Sequence, residues 1–124
     1  MAKVATLSHI FIDCKDPIGM QEFYHNLTGL EKRTQWNHPG LMINDGLMLM
    51  FSACDFDYVP VVWPEEEGKQ QKQVHLDFVV EDLDTAVKAA VKMGAVKASA
   101  QYGGTHWVTL FDPEGHPFCL GIDD

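Results

Sequence analysis

Apolar and polar positions along this chain follow a pattern that occurs twice. Residues 8–16 (SHIFIDCKD) and 74–82 (VHLDFVVED) each begin an extended apolar run with a His that precedes an Asp by seven residues. Beyond that Asp the period changes to that of a helix, with Met20, Phe23, Tyr24 and Leu27 in one copy and Leu83, Ala86, Val87 and Ala90 in the other. Asp16 and Asp82 suit N-caps, where a carboxylate accepts from orphan backbone donors, and Pro17 suits the first helical turn. Gly29 and Gly94 supply residues able to take a left-handed stop.

Short strand-like pieces follow each helix. Asn44-Asp45-Gly46 predicts a hairpin between strands at 41–43 and 47–51, and Asp112-Pro113-Glu114-Gly115 predicts its counterpart between 107–111 and 117–122. Further strands are expected near 33–36 and 97–100. Each half therefore reads β-α-β-β-β, which makes the fold class α+β. The expected architecture is two tandem βαβββ modules forming a half-open barrel-like sheet around a cleft, within a single domain over 1–124. Module one spans about 4–52, a linker about 53–73, and module two about 74–123. The linker is too apolar to be idle. Its Phe56, Tyr58, Val61, Val62 and Trp63 either patch exposed core or form a lid over the cleft.

Strand parity selects the candidate site, because successive side chains point to opposite faces. His9 shares a face with Phe11 and Asp13, and His75 shares one with Asp77 and Val79. On the last strand of each module, Met50 and Cys119 both fall four residues after the hairpin glycine and oppose the apolar face. His9, Met50, His75 and Cys119 thus occupy repeat-related positions that can converge. Trp107 and Thr109 share a face, so Trp107 either lines the cleft as a stacking surface or stands at its rim. Asp77 and Asp13 are each a histidine partner, a ligand-binding carboxylate or a surface group. His106 and His116 flank turns and are expected to be solvated.

Composition narrows the function classes. The net charge is −9, and residues 74–124 carry −5 of it, from three basic and eight acidic groups. That excludes the basic footprint of nucleic-acid binding and favours, if anything, a cationic ligand. No apolar run is long enough to span a bilayer, and the first residues lack the apolar core of a secretory signal. Three widely spaced cysteines with no Cys-x-x-Cys pair argue against a disulfide framework. A cytoplasmic protein is expected.

These segments resemble the vicinal oxygen chelate superfamily, which contains glyoxalase I, bleomycin-resistance proteins and extradiol dioxygenases. The most specific pieces are residues 74–94 (VHLDFVVEDLDTAVKAAVKMG) and 107–120 (WVTLFDPEGHPFCL). The resemblance implies paired βαβββ modules and a homodimer, with the modules pairing within one chain or swapping between two. It also implies, for metal-dependent members, a His, Gln or Glu from the first strand of each module and a Glu from the last. His9 and His75 match the first-strand positions, whereas Met50 and Cys119 stand where the Glu is expected. Both carboxylates are missing, and hard divalent ions favour oxygen donors.

The function expected on these grounds is binding of a small organic molecule through His9, Met50, His75, Asp77, Trp107 and Cys119, with no cofactor. The alternative is a metal-dependent lyase, isomerase or dioxygenase that holds a divalent metal through His9 and His75. A thiolate–thioether set from Cys119 and Met50, suited to copper(I) or zinc, and cofactor-free acid–base chemistry by the histidines are the remaining options.

Overall fold

In each half the hydrophobic pattern resolves into one helix and four strands. The structure, a computed structural model, describes residues 3–122. The first half contains β1 (His9–Cys14), α1 (Pro17–Thr28), β2 (Lys32–Gln35), β3 (His38–Asn44) and β4 (Leu47–Ala53). The second contains β5 (Leu76–Val79), α2 (Leu83–Lys92), β6 (Val96–Lys97), β7 (Trp107–Phe111) and β8 (Pro117–Gly121). The chain is α+β and carries two tandem βαβββ modules. Each sheet is open, with strand orders β1-β4-β3-β2 and β5-β8-β7-β6. The boundary between the two compact units falls between Tyr58 and Val59, so the later part of the 53–73 segment belongs with the second module.

Both sheets use the same construction. The first strand of each module joins the last in parallel, and the remaining pairs are antiparallel. In the first sheet this register sets Phe11 against Met50, and in the second it sets Asp77 against Cys119. Met50 and Cys119 therefore hold equivalent places, each beside the first strand of its own module.

The helix ends differ in how well they are tied. Asp16 caps α1 by accepting from the Gly19 amide at 3.1 Å, and Gly29 ends the helix at φ 72°, a conformation that a side chain disfavours. Asp82 occupies the N-cap position of α2 but makes no side-chain bond to the backbone; its carboxylate accepts from the Thr85 hydroxyl instead. The caps expected to match are thus unequal.

Packing follows the predicted stripes. Met20, Phe23 and Tyr24 on α1 are buried, and the Tyr24 ring stacks on Phe51 of β4 at 5.9 Å. Around α2, Ala90 is buried, and Leu110, Phe118 and Leu120 fill the core of the second sheet. Each fully buried Leu or Phe contributes about 1.5–3 kcal/mol. Burial in β4 does not alternate: Met48, Leu49, Met50 and Phe51 are all buried. This unbroken burial shows that β4 is covered on both faces.

Candidate functional site

The second module places its polar residues on one face of the sheet. Along β5, Leu76 and Phe78 are partly covered, while Asp77, Val79 and, just before the strand, His75 are exposed. Register then brings Cys119 of β8 alongside Asp77, with Thr109 of β7 opposite Cys119. These side chains line a pocket of about 690 Å³ together with the rings of Trp63, Tyr102 and Trp107. A volume of that size suits a small organic ligand.

Loop chemistry positions the rings. Gln101 clamps β7 by donating to the carbonyls of Ala98 and Thr109 and accepting from the Thr109 amide. Gly103 lies directly against Trp107: a Cβ there would stand 2.2 Å from the Trp107 carbonyl oxygen and 2.6 Å from its ring. Only a residue without a side chain allows this approach. Tyr102 and Trp63 meet edge-to-face at 5.9 Å, and the Lys72 ammonium sits 4.3 Å from the Trp63 ring centre. Lys72 is also paired with Glu65. The Trp63 Nε1–H is buried with no hydrogen-bond partner among the described residues.

The polar part of the pocket is tightly grouped. His75 Nε2 lies 3.3 Å from Asp77 Oδ1, and Cys119 Sγ lies 3.4 Å from Thr109 Oγ1. Burial pushes the Cys119 thiol above its ordinary range, the Thr109 contact pulls it back, and nearby Asp77 raises it again. One ligating atom each from His75, Asp77 and Cys119 lie within 4.8 Å of one another.

At the equivalent place in the first module the corresponding side chains are bonded to neighbours or buried. Both ring nitrogens of His9 are engaged, Nδ1 with Ser8 Oγ at 2.8 Å and Nε2 with Gln35 Oε1 at 3.1 Å. Its ring packs 4.2 Å from that of Trp36, which lies parallel to Phe11. Met50 is fully buried beside Gly40, where a Cβ would meet its sulfur at 2.4 Å. Parity placed Met50 on a ligand-facing side, but in a strand covered on both faces alternation does not separate core from site.

Residues 9–121 match the family model described as a glyoxalase-like domain. The chain belongs to the glyoxalase-like family. No curated protein matches it. Among solved structures, this glyoxalase-like chain is similar to a glyoxalase/bleomycin resistance protein/dioxygenase family enzyme from Burkholderia phytofirmans PsJN, with 23% identity and a TM-score of 0.68. That match covers 95% of this chain and 98% of the other. Similarity extends to the fosfomycin resistance protein FosX from Mesorhizobium loti at 14% identity, covering 98% and 95% of the two chains with a TM-score of 0.66. A possible glyoxalase from Bacillus cereus is similar at 16% identity, over 94% and 98%, with a TM-score of 0.65. At these identities the likeness is one of fold. Family and fold together place the chain in the vicinal oxygen chelate superfamily.

The hard divalent ion implied for metal-dependent superfamily members does not fit this glyoxalase-like chain. At the last-strand positions stand a buried thioether, Met50, and a thiol, Cys119, in place of carboxylates. His9 already spends both nitrogens on neighbours. His116, expected to be solvated, is mostly covered and pairs with buried Asp112 at 3.1 Å, so it belongs to the β7–β8 turn. His106 lines the pocket. Tyr102 and Lys72 also line it and were not legible in the sequence, because they lie in irregular segments whose path no periodicity encodes.

Proposed function

We propose that this glyoxalase-like protein binds a small organic molecule in the pocket of its second module, without the hard divalent ion. The observation that carries this reading is the aromatic lining beside an exposed carboxylate: Trp107 and Tyr102 present open ring surface, and the Asp77 side chain is 72% exposed. Flat rings stack on such surfaces, and a positive charge gains further from the ring face and the carboxylate. The ligand class is therefore a flat aromatic or heteroaromatic cation. Trp107 stacks on it, Asp77 faces its charge, and His75 and Cys119 supply polar and thiol edges. Lys72 already covers the Trp63 ring, which leaves Trp107 and Tyr102 as the stacking surfaces.

Fluorescence titration and thermal shift with a panel of flat aromatic cations, acridinium dyes among them, test the reading. Saturable binding is expected, weakened at least about tenfold in Trp107→Ala, the loss of roughly 1.4 kcal/mol of stacking. Absence of binding across the panel, or binding indifferent to Trp107→Ala, contradicts it. The reading includes a second copy of the chain as partner. Among the described residues both sheets end in edge strands on which further strands can join, β1 and β2 in the first and β5 and β6 in the second. Light scattering should give twice the monomer mass. No helix of the described residues is long and apolar enough to cross a membrane.

A further inference from the structure

Resting on the reading of this pocket as a small-molecule site, we propose that Trp63 and Lys72 form a carboxylate subsite in its wall, which makes the ligand a flat aromatic zwitterion. The irregular segment ahead of β5 builds the subsite. Val62 donates its amide to the Gln70 carbonyl at 2.9 Å, and Gly68, at φ 78°, turns the chain back on itself between them. That return brings Lys72 beside Trp63, with the ammonium 4.3 Å from the ring centre. The strap is anchored on both sides of the indole. Pro60 lies against the β7–β8 turn, where a Cβ on Gly115 would stand 3.1 Å from that of Pro60, and Tyr102 meets the Trp63 ring edge-to-face. The fold therefore holds the indole in place before any ligand arrives.

Two donors at this wall have capacity left for an acceptor. The Trp63 Nε1–H is buried with no partner among the described residues, a costly condition that an acceptor carried by a ligand relieves. The Lys72 side chain is 16% exposed and pairs with Glu65 at 2.5 Å, but an ammonium has three donors. Glu65 is 57% exposed and can turn to solvent, and the four-carbon stem of Lys72 lets its ammonium swing from the ring to a ligand. A carboxylate has two oxygens, and an indole N–H with a neighbouring ammonium offers a donor to each. On β5, Asp77 supplies the counter-charge for a positive ring in the same pocket. The net charge of −9 repels a free anion at long range, so a ligand balanced by its own positive ring is favoured over a simple aromatic carboxylate.

The test compares N-methylacridinium with N-methylacridinium-9-carboxylate on the whole chain by fluorescence titration. The carboxylate should raise affinity at least about tenfold, as expected of added charge-assisted hydrogen bonds. Trp63→Phe, which keeps a ring and removes the N–H, should bring the ratio of the two affinities close to one, and so should Lys72→Met. In Trp107→Ala both affinities should fall with their ratio preserved. Should a variant fail to fold, the wild-type protein still decides: the Trp63 indole N–H resonance should move further downfield with the carboxylate dye than with N-methylacridinium. A ratio near one in the wild type, a ratio that survives Trp63→Phe or Lys72→Met, or equal resonance shifts with the two dyes overturns the subsite. With N-methylacridinium still bound, that failure leaves the proposed function standing. If neither dye binds, the proposed function fails, and anthracene-9-carboxylate decides the subsite. Its binding, lost in Trp63→Phe and Lys72→Met, keeps the subsite, and its failure to bind removes that as well.

Discussion

The two modules share one backbone plan and differ in what they place at corresponding positions. Next to β1 the first module holds Phe11 opposite Met50, with His9 covered by Trp36 and bonded through both nitrogens. Next to β5 the second module holds Asp77 opposite Cys119, with His75 exposed and the pocket open around them. Identical register, carrying a thioether in one copy and a thiol in the other, gives core in the first and pocket lining in the second. The duplication thus preserves where side chains point without preserving what they do.

Substitution at the paired positions should break the symmetry most visibly. Met50→Ala removes a fully buried side chain and should cost about 2–5 kcal/mol in denaturant unfolding. Cys119→Ser, at the equivalent position, should cost about 1 kcal/mol or less and act on ligand binding. Equal stability losses at the two positions would contradict the division into core and site.

Two glycines sharpen the same contrast. A Cβ at Gly40 meets Met50 Sδ at 2.4 Å and the Leu49 carbonyl oxygen at 2.9 Å, and one at Gly103 meets Trp107 still more closely. Gly40→Ala and Gly103→Ala should each cost about 1–3 kcal/mol from overpacking. Dye affinity should fall only in Gly103→Ala, because only that change displaces a pocket ring. The smallest effect is expected at the helix caps. Asp16→Ala, which loses the bond to the Gly19 amide, should cost about 1 kcal/mol by thermal unfolding. Asp82→Ala, where no backbone bond exists, should cost only a few tenths of that amount.

These contrasts also show how far the sequence was readable. Helix and strand existence followed from periodicity, and the hairpins from Asn44-Asp45-Gly46 and Asp112-Pro113-Glu114-Gly115, because those signals are local. The exposed side of β5 was legible because burial there alternates residue by residue, as parity predicts. Met50 is fully buried on a strand covered on both faces, a condition that alternation along the sequence does not record. Asp82 looked like Asp16 by spacing, yet the cap bond depends on a side-chain choice that Thr85 diverts. Trp63 was singled out as part of a lid or a core patch and proves to line the pocket, whereas Tyr102 and Lys72 depend on loop paths fixed by tertiary contacts.

Backbone amide mapping by NMR, during titration with whichever dye binds tightest, tests the central claim most directly. The account predicts shift changes concentrated at Asp77, Trp107, Thr109 and Cys119, with the amides of His9, Phe11 and Met50 little altered. Changes centred on β1 and β4 instead would place the ligand in the wrong module and contradict it.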